Sequence, residues 1–266
     1  KSMSKCYEPD HPEIATSLNN LAELYESQGR YEAAEPLYRR SLATREQVLG
    51  ENHPDTATSV NDLANLYRSQ GRYEEAEPLF RRSLATREQV LGESHPDTAT
   101  SVNDLANLYR FQERYAEAEP LFRRSLAIYR QVLGAEHPYT ATGLNNLANV
   151  YRLQGRYTEA EPLYQQSLAI REQVLGASHP ETAVSQCNLG QIYLALGRYS
   201  EAESSLLAAL NTFQNVFNSD HFYIQETLRR LNVLVQTVLQ ADRAADLSDH
   251  PLTQSLLQEL TTPPHP

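Results

Sequence analysis

Apolar residues recur along the chain with the spacing of one face of an α-helix. Near the amino terminus, a first stripe has the spacing i, i+3, i+4 and i+7, and its members are Leu18, Leu21, Ala22 and Tyr25. A second stripe lies within residues 31–49, and its members are Ala34, Leu37, Tyr38, Ser41 and Val48. The two stripes predict a pair of helices, each with one buried face and one polar face.

This two-helix pattern returns every 42 residues. One series with that step is His11, His53, His95, His137, His179 and His221, and another is Tyr25, Tyr67, Tyr109, Tyr151 and Tyr193. Residues 53–92 and 95–134 differ at only six of 40 positions. Such a period indicates stacked helix pairs, each of which buries its apolar face only against its neighbours.

Proline and glycine set the ends of the predicted helices. Pro12 and its equivalents take the first helical position, where the missing N–H costs no hydrogen bond. Gly29 and its equivalents should stop each first helix, and Gly50 and its equivalents each second helix. Glu113 replaces the glycine in the third unit, so we expect a less comfortable turn there. Pro36 should bend the second helix near its start without ending it.

The repeated residues resemble the tetratricopeptide repeat. The positions that carry the resemblance are Leu18, Leu21, Ala22, Tyr25, Gly29, Tyr31, Ala34, Tyr38 and Ser41. The usual unit of that family has about 34 residues, and the longer unit here, with its segments "LNNLA", "GRYEEAEPL" and "REQVLG", resembles the repeat domain of kinesin light chains and their bacterial relatives. The resemblance covers residues 11–218 and implies an all-α fold, a right-handed superhelical solenoid of helix-turn-helix repeats with a C-terminal capping helix.

The period predicts the domain boundaries. Five repeats are expected at residues 11–52, 53–94, 95–136, 137–178 and 179–220. Residues 1–10 align with the tail of a second helix, so we expect a preceding repeat upstream. Residues 221–260 lack the repeat signature and should form diverged capping helices, the last near 251–260. Residues 261–266 should be a disordered tail.

Composition and charge narrow the classes of partner. The formal net charge of −11 and the pI near 5.2 argue against nucleic acid or an anionic membrane as a partner. The two cysteines, Cys6 and Cys187, have no metal-type spacing, and the longest apolar stretch is too short to span a bilayer. A cytoplasmic protein is the resulting expectation.

The recurrent histidines do not have the geometry of a metal site. Packed helices lie about 8–10 Å apart, whereas zinc holds nitrogen ligands at about 2.0–2.1 Å. We therefore expect the histidines to act at the helix starts, the tyrosines to be core residues and the Arg39–Arg40 doublet to be solvated. No catalytic constellation or phosphate loop stands outside the repeat, so neither an enzyme nor a cofactor is expected.

The polar side of each first helix is the candidate site. Positions 16, 19, 20, 23, 26 and 27 face away from the predicted stripe and carry asparagine and arginine in successive repeats. The candidate ligand-binding residues are Asn19, Asn20, Asn61, Asn65, Arg68, Asn103, Asn107, Arg110, Asn145, Asn146, Asn149 and Arg152. Asparagine is a mediocre helix former, but its amide offers the donor and the acceptor that an extended peptide backbone needs.

The family resemblance implies a function for these candidate residues. In kinesin light chains, asparagines of the "LNNLA" segment hold the backbone of bound peptides, and the matching residues are Asn19, Asn20, Asn61, Asn103, Asn145 and Asn146. The sequence then predicts a monomeric, non-enzymatic scaffold that binds a peptide segment of a partner protein in a concave groove. Alternatives are a solvated face copied by recent duplication, the sensor or autoinhibitory arm of a larger signalling ATPase or regulator, and a module that assembles end to end.

Overall fold

Twelve α-helices account for most of residues 12–261, the part of the 266-residue chain that the computed structural model describes. They are α1 (Pro12–Ser27), α2 (Tyr31–Leu49), α3 (Pro54–Ser69), α4 (Tyr73–Leu91), α5 (Pro96–Phe111), α6 (Tyr115–Val132), α7 (Pro138–Leu153), α8 (Tyr157–Leu175), α9 (Pro180–Ala195), α10 (Tyr199–Val216), α11 (Phe222–Gln240) and α12 (Pro251–Thr261). Consecutive helices pack in pairs, and no strand occurs within these residues. The predicted all-α class, a solenoid of helix pairs with a C-terminal helix, is confirmed.

A histidine caps the start of each first helix from α3 onward. His53 Nδ1 accepts the backbone N–H of Asp55 at 3.1 Å, and Pro54 fills the first helical position. The same cap is made by His95, His137, His179 and His221. The cap satisfies one backbone donor that the first helical turn leaves without a partner. The predicted structural role of these histidines is confirmed, while His11 lies outside the described residues.

A left-handed residue ends each first helix. Gly71 has φ of 74°, and the next N–H, of Arg72, bonds back to Tyr67 O at 2.8 Å. In the third repeat Glu113 takes this role with φ of 60°. A side chain at positive φ costs free energy because its Cβ crowds the neighbouring carbonyl. The less comfortable turn expected from the sequence is therefore present.

The chain forms two compact units, Lys1–Gly134 and Ala135–Pro266. In the first unit, the predicted stripe of α3 is buried, and its members are Val60, Leu63, Ala64 and Tyr67. Tyr67 also donates its hydroxyl to Glu35 at 3.2 Å and lies under the guanidinium of Arg72, 4.0 Å from the ring centroid. The tyrosines of this series thus contribute both to packing and to the contact between repeats.

Two stripe predictions are wrong. On α1, Leu21 is exposed, because no preceding second helix covers it within the described residues. Val48 was placed on the buried face of α2, yet it is 44% exposed, as its equivalents in the later repeats are to a similar degree. Val48 lies in the last turn of α2, beyond the part that α1 covers.

The second unit ends in a polar clasp. Glu203 of α10 is buried, and its carboxylate accepts hydrogen bonds from the Ser248 backbone at 2.8 Å and from the Thr253 hydroxyl at 2.6 Å. These bonds hold the start of α12 against α10, while α12 also packs on α11. Thr261 belongs to α12, although the sequence predicted a disordered tail from residue 261. The predicted segments 1–10 and 262–266 lie outside the described residues.

Candidate functional site

Three of the candidate asparagines, at equivalent positions of α1, α3 and α7, lie between helices. Asn19, Asn61 and Asn145 are only 6%, 5% and 9% exposed. In the first unit, Asn19 Nδ2 donates to Asp62 at 3.0 Å. These three side chains are therefore buried and not open to solvent, because successive first helices pack closely enough to enclose this position.

The same contact recurs from one repeat to the next. Asn61 Nδ2 donates to Asp104 at 2.8 Å within the first unit. Within the second unit, Asn188 Nδ2 donates to Asn145 Oδ1 at 3.0 Å. Each such contact, which we call a rung, joins two first helices that are one repeat apart. The rungs therefore set the spacing of the helices.

Two rungs carry a half-buried carboxylate that loses much of its hydration. Burial raises the pKa of Asp62 to about 6, against the opposing effect of the Asn19 hydrogen bond. Burial likewise raises the pKa of Asp104, although Asn61 donates to it. A neutral amide replaces only part of the hydration that a carboxylate loses on burial. These carboxylates are therefore part of the helix packing and do not lie on an open acidic surface.

The asparagine four residues further along the first helix is half-buried and has different neighbours in each repeat. The residues at this position are Asn65, Asn107 and Asn149. Asn107 Nδ2 donates to Asn103 O at 3.1 Å, and Asn107 Oδ1 accepts from Arg110 at 3.2 Å. Asn149 Oδ1 accepts the hydroxyl of Tyr164 at 2.7 Å. Asn65 Oδ1 is buried without a hydrogen-bond partner. Of the remaining candidates, Asn20 is exposed, whereas Asn103 and Asn146 are half-buried.

An aromatic side chain lies among the arginines of the first unit. Phe111 is 48% exposed, and the guanidinium groups of Arg110 and Arg68 lie 4.3 Å and 5.8 Å from its ring centroid. Tyr73 stacks on the same ring at 6.5 Å. Phe111 stands where the first two repeats have Ser27 and Ser69. Sequence reasoning missed it, although this departure from near-identical repeats was a signal for it.

Arg152 is the matching arginine of the second unit. It lies on α7, one turn beyond Asn149, and is half-buried. Its Nε is buried and has no hydrogen-bond partner. A guanidinium with an unused N–H retains a donor for a carbonyl or a carboxylate.

A buried arginine ties the helices of neighbouring repeats together. Arg87 of α4 donates to the Asp97 carbonyl at 3.1 Å, to Ser101 Oγ at 2.8 Å and to Thr58 Oγ1 at 3.0 Å. Arg45 and Arg171 make the corresponding contacts with the next first helix. Sequence reasoning did not single out these residues, although they recur with the 42-residue step as part of "REQVL".

Arginines on the outer side of the second helices are involved in ion pairs. Arg81 pairs with Glu77 at 2.9 Å, and Arg82 pairs with Glu46 of the preceding repeat at 2.7 Å. Among residues 12–261, no cluster of three or more histidine, cysteine, aspartate or glutamate side chains has the arrangement of a metal site. Within the same range, every helix is too short or too polar to cross a bilayer.

The repeats match one protein family over most of the chain. The tetratricopeptide repeat profile matches residues 2–47, 13–89, 57–131, 97–173 and 139–215 in overlapping stretches. No curated protein sequence matches the chain.

Several solved structures are similar to the chain, and two of them are of kinesin light chain-like proteins. One, a Podospora anserina protein described by its nearly identical TPR-like repeats, is 29% identical with a TM-score of 0.65, over 77% of this chain and 97% of that one. BtubC from P. vanneervenii is 24% identical with a TM-score of 0.67, over 79% and 84% of the two chains. Pseudomonas aeruginosa PilF is 16% identical with a TM-score of 0.60, over 94% and 92%. The last two likenesses concern the fold alone.

Proposed function

The chain belongs to the tetratricopeptide repeat family, whose domains bind protein partners, and we propose that it is a scaffold that holds an extended segment of a partner protein. Within the first unit, the segment would lie across the first helices on the side that carries Asn65 and Asn107, and Asn149 stands at the equivalent position of α7 in the second unit. Family members are generally non-enzymatic scaffolds, and we infer the same of this chain.

The exposed ring of Phe111 between two arginines carries the proposal. An exposed aromatic side chain beside guanidinium groups is the composition that dominates binding energy in protein interfaces. Arg68 lies over the rings of both Phe111 and Phe80, so these contacts hold its planar group at the surface. A segment with an aromatic and an acidic residue would complement this face.

Unused hydrogen-bonding atoms on a first helix of each unit support a peptide ligand. Asn65 Oδ1 in the first unit and Arg152 Nε in the second have no partner. Leaving a buried polar atom unpaired costs about 1–3 kcal/mol. A peptide backbone supplies an N–H to the first and a carbonyl to the second, which would recover that cost.

The buried asparagines take a different part in this proposal. Asn19, Asn61 and Asn145 form rungs, so they position the helices and do not contact the ligand. Asn20, Asn103 and Asn146 remain candidates for ligand contact. The distance between first helices, about 8–10 Å, corresponds to roughly three residues of extended peptide at about 3.3 Å each.

The charge of the face favours an acidic segment over α3 and α5. Asp62 and Asp104 are enclosed in rungs, whereas Arg68 and Arg110 border the exposed ring. On α1 the sign reverses, because Glu23 is exposed and Glu26 accepts from Tyr38 and Ser69. We therefore propose that the acidic part of the ligand contacts α3 and α5.

The free thiol of Cys187 suits the reducing cytoplasm.

Selection from a library of random twelve-residue peptides displayed on phage tests the function. We expect binders enriched in acidic and aromatic residues, whose affinity falls in a variant with Asn65→Ala and Asn107→Ala by about 0.5–1.5 kcal/mol per lost hydrogen bond. Alanine is the better helix former, so folding should persist, and circular dichroism checks this.

The matched control removes two exposed amides from second helices of the same unit. A variant with Gln89→Ala and Gln131→Ala should bind like the parent. A selection without binders, or equal loss of affinity in both double variants, would contradict the proposed function. Light scattering over a concentration series separates a monomeric binder from the end-to-end assembly alternative.

A further inference from the structure

The fifth repeat has less polar side chains at three positions where the other repeats have hydrogen-bonding ones. On α9, Val184 replaces the threonine of the four earlier repeats, and Cys187 replaces their asparagine. On α10, Phe213 stands at the position of Arg45, Arg87 and Arg171. All three changes put an apolar or weakly polar side chain where the other repeats have a hydrogen-bonding one. In a chain of near-identical repeats, three such changes at one junction are a local specialisation.

These three residues border a cavity of about 70 Å³ between α9, α10 and α11. Phe213 stacks on Tyr223 with ring centroids 5.0 Å apart, which forms one wall. Phe222 lines the cavity as well and is 70% exposed. Such a site, with an aromatic wall and an exposed aromatic ring, has the character of a side-chain pocket.

The polar groups of the lining are already engaged with one another. Cys187 Sγ lies 3.3 Å from Thr227 Oγ1, and that hydroxyl donates to the Tyr223 carbonyl at 2.7 Å. Burial raises the pKa of the Cys187 thiol, so this sulfur stays neutral. The interior therefore offers mainly apolar surface to an occupant.

The equivalent space is filled by an arginine in the first, second and fourth repeats, and Tyr129 stands at this position in the third. Between α3, α4 and α5, Arg87 reaches Thr58 and Ser101, whose counterparts here are Val184 and Thr227. Between α7, α8 and α9, Arg171 donates to Ser185 at 2.7 Å. A phenylalanine cannot make these bonds, and it turns instead to Tyr223. The cavity remains where the guanidinium would lie.

The charge beside the cavity is positive. Glu226 is shared by Arg229 and Arg230, each at 2.8 Å, so two guanidinium groups face one carboxylate. Hydrogen bonds from Arg229, with those from Arg230, lower the pKa of Glu226 to about 2, and it stays ionised. With the Gln191 amide turned so that its oxygen faces Arg230, this oxygen also accepts from the guanidinium at 2.7 Å. An occupant that carries a carboxylate next to its apolar group complements this rim.

We propose that the pocket between α9, α10 and α11 is an anchor site for one aliphatic side chain of the bound segment, adjacent to a carboxylate that pairs with the Arg229–Arg230 rim. The inference rests on the proposed function and adds a specificity element to it. A water molecule takes about 30 Å³ in the liquid, so the cavity has room for about two waters. It accommodates a small branched side chain such as valine and excludes an indole ring.

N-acetylvaline is a suitable probe, because it combines the side chain and the carboxylate without requiring the partner. In an NMR titration of the whole chain, we expect shifts of the amide signals of α9 and α11 with a dissociation constant in the millimolar range. N-acetylalanine should bind roughly fifteenfold more weakly, since it lacks two carbons and each buried methylene contributes about fourfold. N-acetylvalinamide, which lacks the carboxylate, should also bind more weakly, and Arg230→Gln should remove that difference.

A double variant with Phe213→Arg and Val184→Thr restores the pattern of the other repeats. We expect it to lose probe binding. Because this variant introduces a charge, Val184→Leu serves as a second one that only fills the cavity, and it should lose binding as well. Probe shifts that persist in a folded filled variant, or that lie away from α9 and α11, would overturn the inference.

The probe titration tests the anchor pocket, and the library selection tests the scaffold function, so the two proposals can fail independently. Library peptides that depend on Asn65 and Asn107, together with no probe binding at α9 and α11, would reject the anchor and leave the scaffold function standing. Probe binding at the pocket without any library binder would reject the scaffold function. Preference for N-acetyltryptophan over N-acetylvaline would contradict the size argument and therefore the proposed occupant.

Discussion

Asn61 donates a side-chain N–H to the carboxylate of Asp104 at 2.8 Å, although the two residues are 43 positions apart. Asn19 makes the same contact with Asp62. The neighbouring repeats show that an aspartate is not required here, because Asn20, Asn146 and Asn188 occupy the same position. The first unit thus has one carboxylate at each of two helix junctions, where a neutral amide could make the same hydrogen bond.

Asp62→Asn should stabilise the chain at neutral pH. The folded pKa of Asp62 is raised to about 6, so its contribution to stability is fully present below the unfolded pKa of about 3.9 and is lost as the pH rises through 6. The half-buried side chain reduces the effect, and we expect a gain of roughly 1–2 kcal/mol at pH 8 that vanishes near pH 4. Urea unfolding at several pH values measures it.

The exposed residue Glu51 provides the control for this experiment. Glu51→Gln also removes one negative charge and should show little dependence on pH. A gain for Asp62→Asn that is equally large at pH 4 would mean that the amide packs better and that ionisation is not the cause.

Glu113→Gly should stabilise the third repeat. Glu113 has φ of 60° at a position where most other repeats have glycine, and left-handed backbone costs about 1–2 kcal/mol for a residue with a Cβ. Part of that gain is offset because glycine makes the unfolded chain more flexible. We expect a net increase of about 0.5–1 kcal/mol in the free energy of unfolding, whereas Glu113→Ala, which keeps the Cβ, should give none.

Arg87→Ala should destabilise the first unit by about 2–4 kcal/mol, because it removes three hydrogen bonds of a buried guanidinium and leaves a cavity. Arg87→Tyr should be milder, since Tyr129 occupies this position in the third repeat and its hydroxyl lies 3.2 Å from Thr100 Oγ1. Arg40→Ala, at an exposed position of a second helix, should change stability by less than about 0.5 kcal/mol. Thermal and urea unfolding provide the comparison, and equal losses for the two Arg87 variants would contradict the role of the hydrogen bond.

The fold could be predicted from the sequence because local signals repeat five times. Periodic apolar residues, the proline that follows each histidine and the glycine turns each specify one helix end or face. The predicted second helix, residues 31–49, has the bounds of α2. The strained turn at Glu113 could also be predicted, because the other four repeats have glycine at this position and glycine adopts positive φ easily.

The site could be predicted only in part, because helical spacing does not determine what encloses a polar face. Asn19 lies on the polar side of α1 in a helical projection, but α3 packs across it and Asp62 becomes its partner. Nothing in the sequence around Arg87 indicates that it is buried, whereas in the structure it donates to Thr58 and Ser101 of two neighbouring first helices. Contacts between repeats depend on the distance and angle between helices, which a one-dimensional pattern does not contain.

Phe111→Ser should weaken peptide binding without disturbing the fold. Ser27 and Ser69 occupy the same position in the first two repeats, and the ring is largely exposed, so its loss should change stability little. The ring contributes apolar area and holds Arg110 at 4.3 Å. Its removal should cost about 1–3 kcal/mol of binding to a peptide selected from the library, and calorimetric titration measures the change.

The neighbouring variant Arg110→Ala should act through charge. It removes a guanidinium from the face, so affinity for an acidic peptide should fall at low salt and become less dependent on ionic strength. Phe111→Ser should instead leave the slope against salt nearly unchanged, because the arginine stays. If the two variants show the same salt dependence, the ring and the guanidinium do not contribute separately. If both bind like the parent while circular dichroism is unchanged, the ligand does not contact this face of α5, and the site proposed for the first unit is wrong.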